Sequence, residues 1–191
     1  DPAGRLWCGS MALTWAPGAS SLYRIDATGV TVAVESVTLS NGLDWDVDRE
    51  RMYYIDSTEQ RIDVFRFDVD TGAIDERRPF AEIDPADGLP DGMTVDADGC
   101  VWVALFGGGV LRRYDPDGEL MTVVGLPVRH PTSIAFGGPD LSTMFVTTSR
   151  HKLTPEERAE QPHAGAVLVV DAGVRGRAAN SVSAATAAAI D

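Results

Sequence analysis

Residues 40–45, Ser-Asn-Gly-Leu-Asp-Trp, and residues 89–93, Leu-Pro-Asp-Gly-Met, each lie just before a pair of short segments with apolar or alternating character. The first pair reads DVDRERMYYID at 46–56 and RIDVFRFD at 61–68, and the second reads DADGCVWVAL at 96–105 and GVLRRYD at 109–115. Short runs of this composition, bounded by Asp and Gly, predict β-hairpins. We therefore expect the two quoted stretches to be turns, each preceding a similar hairpin.

The hairpin occurs four times along the chain. Its first strands are predicted at 5–11, 51–56, 100–105 and 143–148, and its second strands at 21–26, 62–68, 110–115 and 166–171. A repeat of roughly 40–50 residues with a few short strands per unit is typical of a β-propeller. The segment 151–161 alone predicts a helix, with Thr154 as the N-cap and Pro155 in the first turn.

The repeat also divides the chain. Residues 1–177 contain the four units, and the first unit is already under way at Asp1. We therefore expect the chain to be the C-terminal part of a larger propeller. Residues 178–191 are rich in Ala and Ser and lack the aromatic strand pattern, so we expect a tail that is disordered or packs poorly.

Composition restricts the classes of partner. The 191 residues include 29 acidic and 16 basic side chains, a formal net charge of −13. Such a surface repels the phosphates of nucleic acids and anionic membranes, so we expect neither partner. No run approaches the roughly 20 apolar residues of a membrane span. Cys8 and Cys100 are too few for a disulfide framework, and we expect reduced core thiols in a cytoplasmic protein.

Asn41 and Asp91 are the leading candidates for a functional site. They occupy the same place in two similar units, so the repeated scaffold would bring one carboxamide and one carboxylate to matching corners. Oxygen donors of this kind suit a hard metal ion or a polar ligand. The alternative is that each side chain caps its own turn, a local role that Asn and Asp often take.

Other polar motifs favour structural roles. The acidic residues Asp44, Asp46, Asp48, Asp96 and Asp98 lack the Gly and Glu of a calcium-binding loop, and we assign them to exposed hairpin turns. Gly107-Gly108-Gly109 lacks the ending of a phosphate-binding loop and predicts a hairpin turn. His130 and His163 have no partner spacing that indicates zinc, and Ser133 is not in a nucleophile elbow.

Long stretches of the chain resemble one family. Residues 40–74, 89–120 and 131–149, together with 1–11 and 21–26, resemble the regucalcin/gluconolactonase family, also called senescence marker protein or LRE-like. The resemblance extends from Asp1 to about Arg177. It implies an all-β fold, a six-bladed β-propeller, of which this chain would be a C-terminal fragment of about four blades.

The resemblance also implies a metal site. In this family one divalent ion is bound by a Glu of the first blade, the Asn of the S-N-G-L motif and the Asp of the P-D-G-M motif. Asn41 and Asp91 match the latter two, with Asn41 also placed beside the substrate and Asp91 also placed in catalysis. The Glu, and the Arg and Asn that contact substrate in the family, would precede Asp1. A further acidic substrate contact aligns with Ala16, which puts substrate specificity in question.

The implied function is metal-dependent hydrolysis of a small-molecule sugar lactone, with calcium as the expected ion and zinc, magnesium or manganese as alternatives. Because the Glu ligand is missing, we expect this chain alone to be inactive. Two alternatives stay open: a non-catalytic calcium- or metal-binding protein of the regucalcin kind, and a propeller esterase or phosphotriesterase. The natural lactone and the oligomeric state are not indicated by the sequence.

Overall fold

The computed structural model describes residues 1–190, which form an all-β structure of four antiparallel sheets. Sheet I contains β1 (Leu6–Gly9), β2 (Ser20–Asp26) and β3 (Gly29–Val37). Sheet II contains β4 (Ser40–Asp46), β5 (Arg51–Asp56), β6 (Arg61–Phe67) and β7 (Ile74–Glu82). Sheet III contains β8 (Leu89–Val95), β9 (Val101–Phe106), β10 (Val110–Tyr114) and β11 (Leu120–Gly125). Sheet IV contains β12 (Pro131–Gly137), β13 (Thr143–Thr148) and β14 (Val167–Asp171).

The predicted hairpins are confirmed. All eight of their strands are present, and their ends differ from the predicted ones by at most two residues. Gly107-Gly108-Gly109 forms the turn between β9 and β10, as predicted, with Gly107 and Gly109 at positive φ. The helix α1 (Pro155–Glu160) lies inside the predicted segment and begins with a capping box between Thr154 and Glu157.

The two stretches predicted as turns are strands instead. Residues 40–45 lie in β4 and residues 89–93 lie in β8, each the first strand of its sheet. The pairing register shifts between Ser40 and Leu43 in β4, and between Pro90 and Met93 in β8, so both strands contain an irregularity. Their Gly and Pro residues resemble turn residues in sequence, but here they belong to irregular strands that other strands approach closely.

Successive sheets pack face to face through their apolar residues. Trp7, Trp45 and Phe67 form an aromatic cluster between sheets I and II. The core between sheets II and III contains Tyr53, Ile55, Ile62, Val95, Val103 and Leu105, and the core between sheets III and IV contains Trp102, Leu111, Ile134, Met144 and Val146. The first strands are neighbours, since β8 contacts both β4 and β12. This arrangement is propeller-like, and the number of six blades stays a prediction.

The Asp-rich turns connect distant parts of the fold. Asp96 is fully buried, and its carboxylate accepts hydrogen bonds from the backbone N–H groups of Asp98 and Cys100. It also accepts one from Trp102 Nε1 at 2.9 Å and one from Arg113 Nε at 2.8 Å. Because one carboxylate accepts hydrogen bonds both from the backbone of the turn before β9 and from Arg113 of β10, it fixes that turn to β10.

The prediction of exposed turns is therefore wrong for three of the five Asp residues, Asp44, Asp46 and Asp96. Asp46 is fully buried and its carboxylate pairs with Arg49 at 2.7 Å. The half-buried Asp44 carboxylate accepts a hydrogen bond from the backbone N–H of Val95, 51 residues away, at 2.7 Å. Donors this distant are not visible in a local motif. Asp48 and Asp98 are exposed, as predicted.

The two cysteines differ in their surroundings. Both are free; Cys100 is buried, whereas Cys8 is exposed. The prediction of a core thiol is therefore right for Cys100 and wrong for Cys8. Successive side chains of a strand point to opposite faces, and in β1 Trp7 occupies the face that packs on sheet II.

Within the predicted tail, residues 178–190 contain the short helix α2 (Ala184–Ala188), and Asp191 lies outside the described residues. Ser183 caps the helix, its backbone N–H donates to the Gly4 carbonyl, and Thr186 is buried. The division into a propeller part at 1–177 and a tail stays a prediction. Within residues 1–190, no helix is long and apolar enough to cross a membrane.

Candidate metal and substrate site

Asn41 and Asp91 occupy equivalent positions near the start of two adjacent strands, β4 and β8. Each is followed by a glycine that permits close approach. A Cβ atom on Gly42 would lie 2.7 Å from the Asp91 carbonyl oxygen, and one on Gly92 would lie 2.7 Å from the Ser133 Cα of β12. A side chain at either position would clash with backbone. The Asn-Gly and Asp-Gly pairs thus allow the starts of the first strands to lie close together.

The Asn41 side chain is held by a serine that the sequence analysis did not single out. Asn41 Nδ2 donates to Ser57 Oγ at 2.7 Å, and Ser57 Oγ donates to the Pro90 carbonyl at 2.6 Å. Ser57 is fully buried and follows the last residue of β5. The hydrogen bonds therefore connect Asn41 in sheet II with the residue that precedes Asp91 in sheet III.

The Asp91 side chain is in a different state. It is half-buried, and among residues 1–190 no Arg or Lys forms an ion pair with it and no side chain donates a hydrogen bond to it. Burial raises the pKa of Asp91 to about 7, although the backbone N–H of Gly92 acts in the opposite direction. A carboxylate that is desolvated and lacks a cationic partner is suited to bind a cation or a proton.

The third equivalent position, in β12, is occupied by Thr132. Its Oγ1 lies 2.7 Å from Thr147 Oγ1 on β13. This position could have been identified from the sequence repeat. The triplets Ser-Asn-Gly of β4 and Pro-Asp-Gly of β8 correspond to Pro-Thr-Ser in β12. The equivalent position in sheet IV therefore has a neutral hydroxyl group, which pairs with its own hairpin.

Ala16, which the resemblance aligns with an acidic residue of the family, lies in the loop between β1 and β2 and is half-buried. The loop is attached to the residues that precede β4. The backbone N–H of Gly18 donates to Thr38 Oγ1 at 3.1 Å, and Met11 forms an isolated β-bridge with Leu39. Ala16 is thus in a loop that borders the start of β4, and its role in specificity stays a prediction.

The remaining motifs have structural surroundings of their own. His130 is buried and stacks on Phe106 with ring centroids 4.1 Å apart, and burial is the largest cause that lowers its pKa. His163 is exposed, and Ser133 lies in β12 against Gly92. Within residues 1–190, no group of three or more His, Cys, Asp or Glu side chains could hold a metal ion.

The donors at Asn41 and Asp91 fit two positions of a hard-metal site. Both supply oxygen, which calcium, magnesium and manganese prefer, and the carboxylate supplies negative charge. With Nδ2 engaged by Ser57, the Asn41 Oδ1 is the atom left for a ligand, and within residues 1–190 nothing donates to it. Such an arrangement is suited to a cation beside a polar substrate.

Comparisons with known proteins show which family the chain resembles. The family described as "SMP-30/Gluconolactonase/LRE-like region" matches residues 1–150. The "Putative sugar lactone lactonase YvrE" of Bacillus subtilis is 43% identical over 170 residues, covering 88% of this chain and 58% of the relative. Regucalcin of Sus scrofa is 41% identical over 184 residues, covering 92% of this chain and 62% of the relative.

Among solved structures, a calcium-binding protein, regucalcin from Agrobacterium tumefaciens, matches with a TM-score of 0.87 and 28% identity. The match covers 95% of this chain and 61% of that structure. The chain therefore spans about three fifths of the length of the relatives it matches.

Proposed function

Since the chain belongs to the SMP-30/gluconolactonase/LRE-like family, we propose that it carries part of the active site of a metal-dependent hydrolase that opens sugar lactones. The observation that carries the proposal is the placement, on adjacent strands, of an oriented Asn41 amide beside an Asp91 carboxylate with no cationic partner within residues 1–190. The four sheets are then four blades of a six-bladed propeller.

In this proposal Asn41 Oδ1 and the Asp91 carboxylate bind one divalent cation, with calcium as the expected ion and zinc, magnesium or manganese as alternatives. A cation bound there supplies Lewis acidity toward the lactone carbonyl group. The resemblance implies a Glu ligand in addition to Asn41 and Asp91, so we expect these two residues by themselves to bind a cation weakly and not to turn over lactone.

Asp91 has a second role in the reaction. Its carboxylate orients the attacking water and accepts the proton that the water releases. The water oxygen bonds to the carbonyl carbon, the ester C–O bond breaks, and the released ring oxygen takes up a proton, which yields the open-chain hydroxy acid. Asn41 contacts the substrate side of the site, and the small Ala16 leaves that side without the family's acidic contact.

Activity and binding are to be measured separately on the protein at its full length. We expect hydrolysis of glucono-1,5-lactone, followed with a pH indicator, to require a divalent cation and to fall at least about tenfold in Asp91→Asn. Asp117→Asn, at an exposed turn, is the control and keeps activity. Lactone hydrolysis that survives metal removal, or that is unchanged in Asp91→Asn, overturns the proposal.

The same experiment separates the alternatives. Calorimetric binding of calcium without turnover of any aldonolactone would indicate a binding protein, in line with the calcium-binding regucalcin among the similar structures. Faster turnover of aryl esters or phosphotriesters than of lactones would indicate a different hydrolase on the same site.

A further inference from the structure

Ser57 lies between the two candidate ligands and makes hydrogen bonds toward both strands that carry them. We propose that Ser57 is a positioning residue that fixes the Asn41 amide with its Oδ1 available for the cation, and that it aligns the Pro90–Asp91 segment with Asn41. This inference deepens the proposed function and rests on it.

The direction of the amide follows from the donors and acceptors. The Pro90 carbonyl can only accept, so the single hydroxyl proton of Ser57 is used in the 2.6 Å bond to it. Ser57 Oγ is then left as an acceptor toward Asn41, and only the amide NH₂ group can donate to it. The amide carbonyl must therefore point away from Ser57. A flipped amide would place two acceptors against each other.

Ser57 can play this role because its own position is fixed. Its backbone N–H donates to the Leu39 carbonyl at 3.0 Å, two residues before Asn41. The preceding Asp56 is buried, and its carboxylate accepts hydrogen bonds from the backbone N–H groups of Thr38 and Leu39. The end of β5 and the start of β4 thus form one rigid unit, and the Ser57 hydroxyl is presented from it.

The repeat supplies a comparison within the chain. The pairs Leu43–Tyr54, Met93–Val103 and Ile134–Val146 occupy equivalent register positions in sheets II, III and IV. Three residues beyond the second member of each pair lie Ser57, Phe106 and Ser149. Phe106 has no hydroxyl group, so this position offers the Asp91 carboxylate no hydroxyl donor. The Ser149 hydroxyl accepts from the backbone N–H of His151 at 3.0 Å and serves its own turn.

The functional arm of the test is a calorimetric titration with CaCl₂ and MnCl₂ on the protein at its full length. Removal of a residue that orients a metal ligand typically weakens metal affinity by about 10–100-fold, and we expect Ser57→Ala to do so. The matched control, Ser149→Ala, removes an equivalent hydroxyl group and leaves affinity unchanged. Ser57→Cys, which keeps the side-chain size and a weak donor, gives an intermediate loss and guards against a failure of Ser57→Ala to fold.

A double-mutant cycle separates positioning from general destabilisation. If Ser57 acts through Asn41, then Ser57→Ala in an Asn41→Ala background causes less further loss of affinity than it causes in the wild type. Equal losses in both backgrounds overturn the proposed role. A lowered melting temperature of the metal-free protein accompanies either result, so melting alone does not decide between them.

An NMR experiment on the metal-free protein separates the role of Ser57 from the proposed function. The side-chain ¹⁵N–¹H resonances of Asn41, assigned by their loss in Asn41→Asp, are expected to show protection from exchange that Ser57→Ala abolishes and Ser149→Ala retains. A wild type that binds neither cation overturns the proposed function. A wild type that binds both, with Ser57→Ala binding equally tightly or with Asn41 protection unchanged, overturns the role of Ser57 alone.

Discussion

Replacing Asp91 by Asn in the metal-free protein is expected to raise its stability at pH 8 and to change it much less at pH 4. The pKa of Asp91 is raised by burial from 3.8 to about 7 in the folded state. The folded protein therefore binds more protons than the unfolded chain between these pH values, and stability falls as pH rises through that window. Above this pH window, the folded state contains a charged and desolvated carboxylate, which lowers its stability. Below the window, the side chain is neutral in both states.

The magnitude follows from the size of the shift. About 3 pKa units at 1.36 kcal/mol per unit set an upper limit of about 4 kcal/mol for the cost at pH 8. Solvent reaches the half-buried carboxylate and screens it, so we expect about 1–2 kcal/mol. For a domain of this size each kcal/mol corresponds to about 2–4 °C in melting temperature. Asn keeps the shape of the side chain and carries no charge at either pH.

The assay is thermal unfolding of wild type and Asp91→Asn in EDTA at pH 4, 6 and 8. Asp117→Asn is the control, because Asp117 is exposed and its pH dependence should follow the wild type. A variant that melts below the wild type by the same amount at every pH would refute the reasoning and make Asp91 a structural residue. With calcium present the order is expected to reverse at pH 8, since only the wild-type carboxylate gains stability from the bound ion.

Three further predictions concern the scaffold. Asp96→Ala should lower the free energy of unfolding by about 3–5 kcal/mol in a urea titration, because it leaves a buried Arg partner and several donors unpaired. Gly92→Ala should cost about 1–3 kcal/mol in the same titration and weaken metal binding, because the added Cβ would lie 2.7 Å from the Ser133 Cα. In the native protein a thiol reagent should label Cys8 at once and Cys100 only after unfolding, because Cys100 is buried and burial raises its pKa.

The strands that could be predicted from the sequence are those whose pattern is local. β5 and β9 show apolar or alternating runs bounded by Asp or Gly, and each pairs with the strand that follows it. β4 and β8 were wrongly predicted as turns. They pack against the first strands of other sheets, and their Gly residues allow those strands to approach closely. A glycine required by a neighbour 50 residues away has the same appearance in sequence as a glycine required by a turn.

In the candidate site, too, some residues could be identified from the sequence and others only from distant contacts. Asn41 and Asp91 were indicated by their equal places in two repeats, which is a property of the sequence alone. Ser57 was not, because its hydroxyl partners lie 16 and 33 residues away and a buried serine has no sequence signature. The raised pKa of Asp91 likewise follows from burial of its carboxyl group, which becomes visible only once the sheets are packed.

The two candidate ligands differ in their own side chains and also at a second position of the repeat. Each unit places a side chain at the start of its first strand and another just beyond the second strand, so equal backbones bring equivalent pairs together. In sheet II the second side chain is Ser57, which turns an amide into an oriented neutral ligand. In sheet III it is Phe106, whose side chain can donate no hydrogen bond to the Asp91 carboxylate. Two differences between the repeats, Asn41 against Asp91 and Ser57 against Phe106, would thus give the proposed site one oriented neutral oxygen and one anionic oxygen.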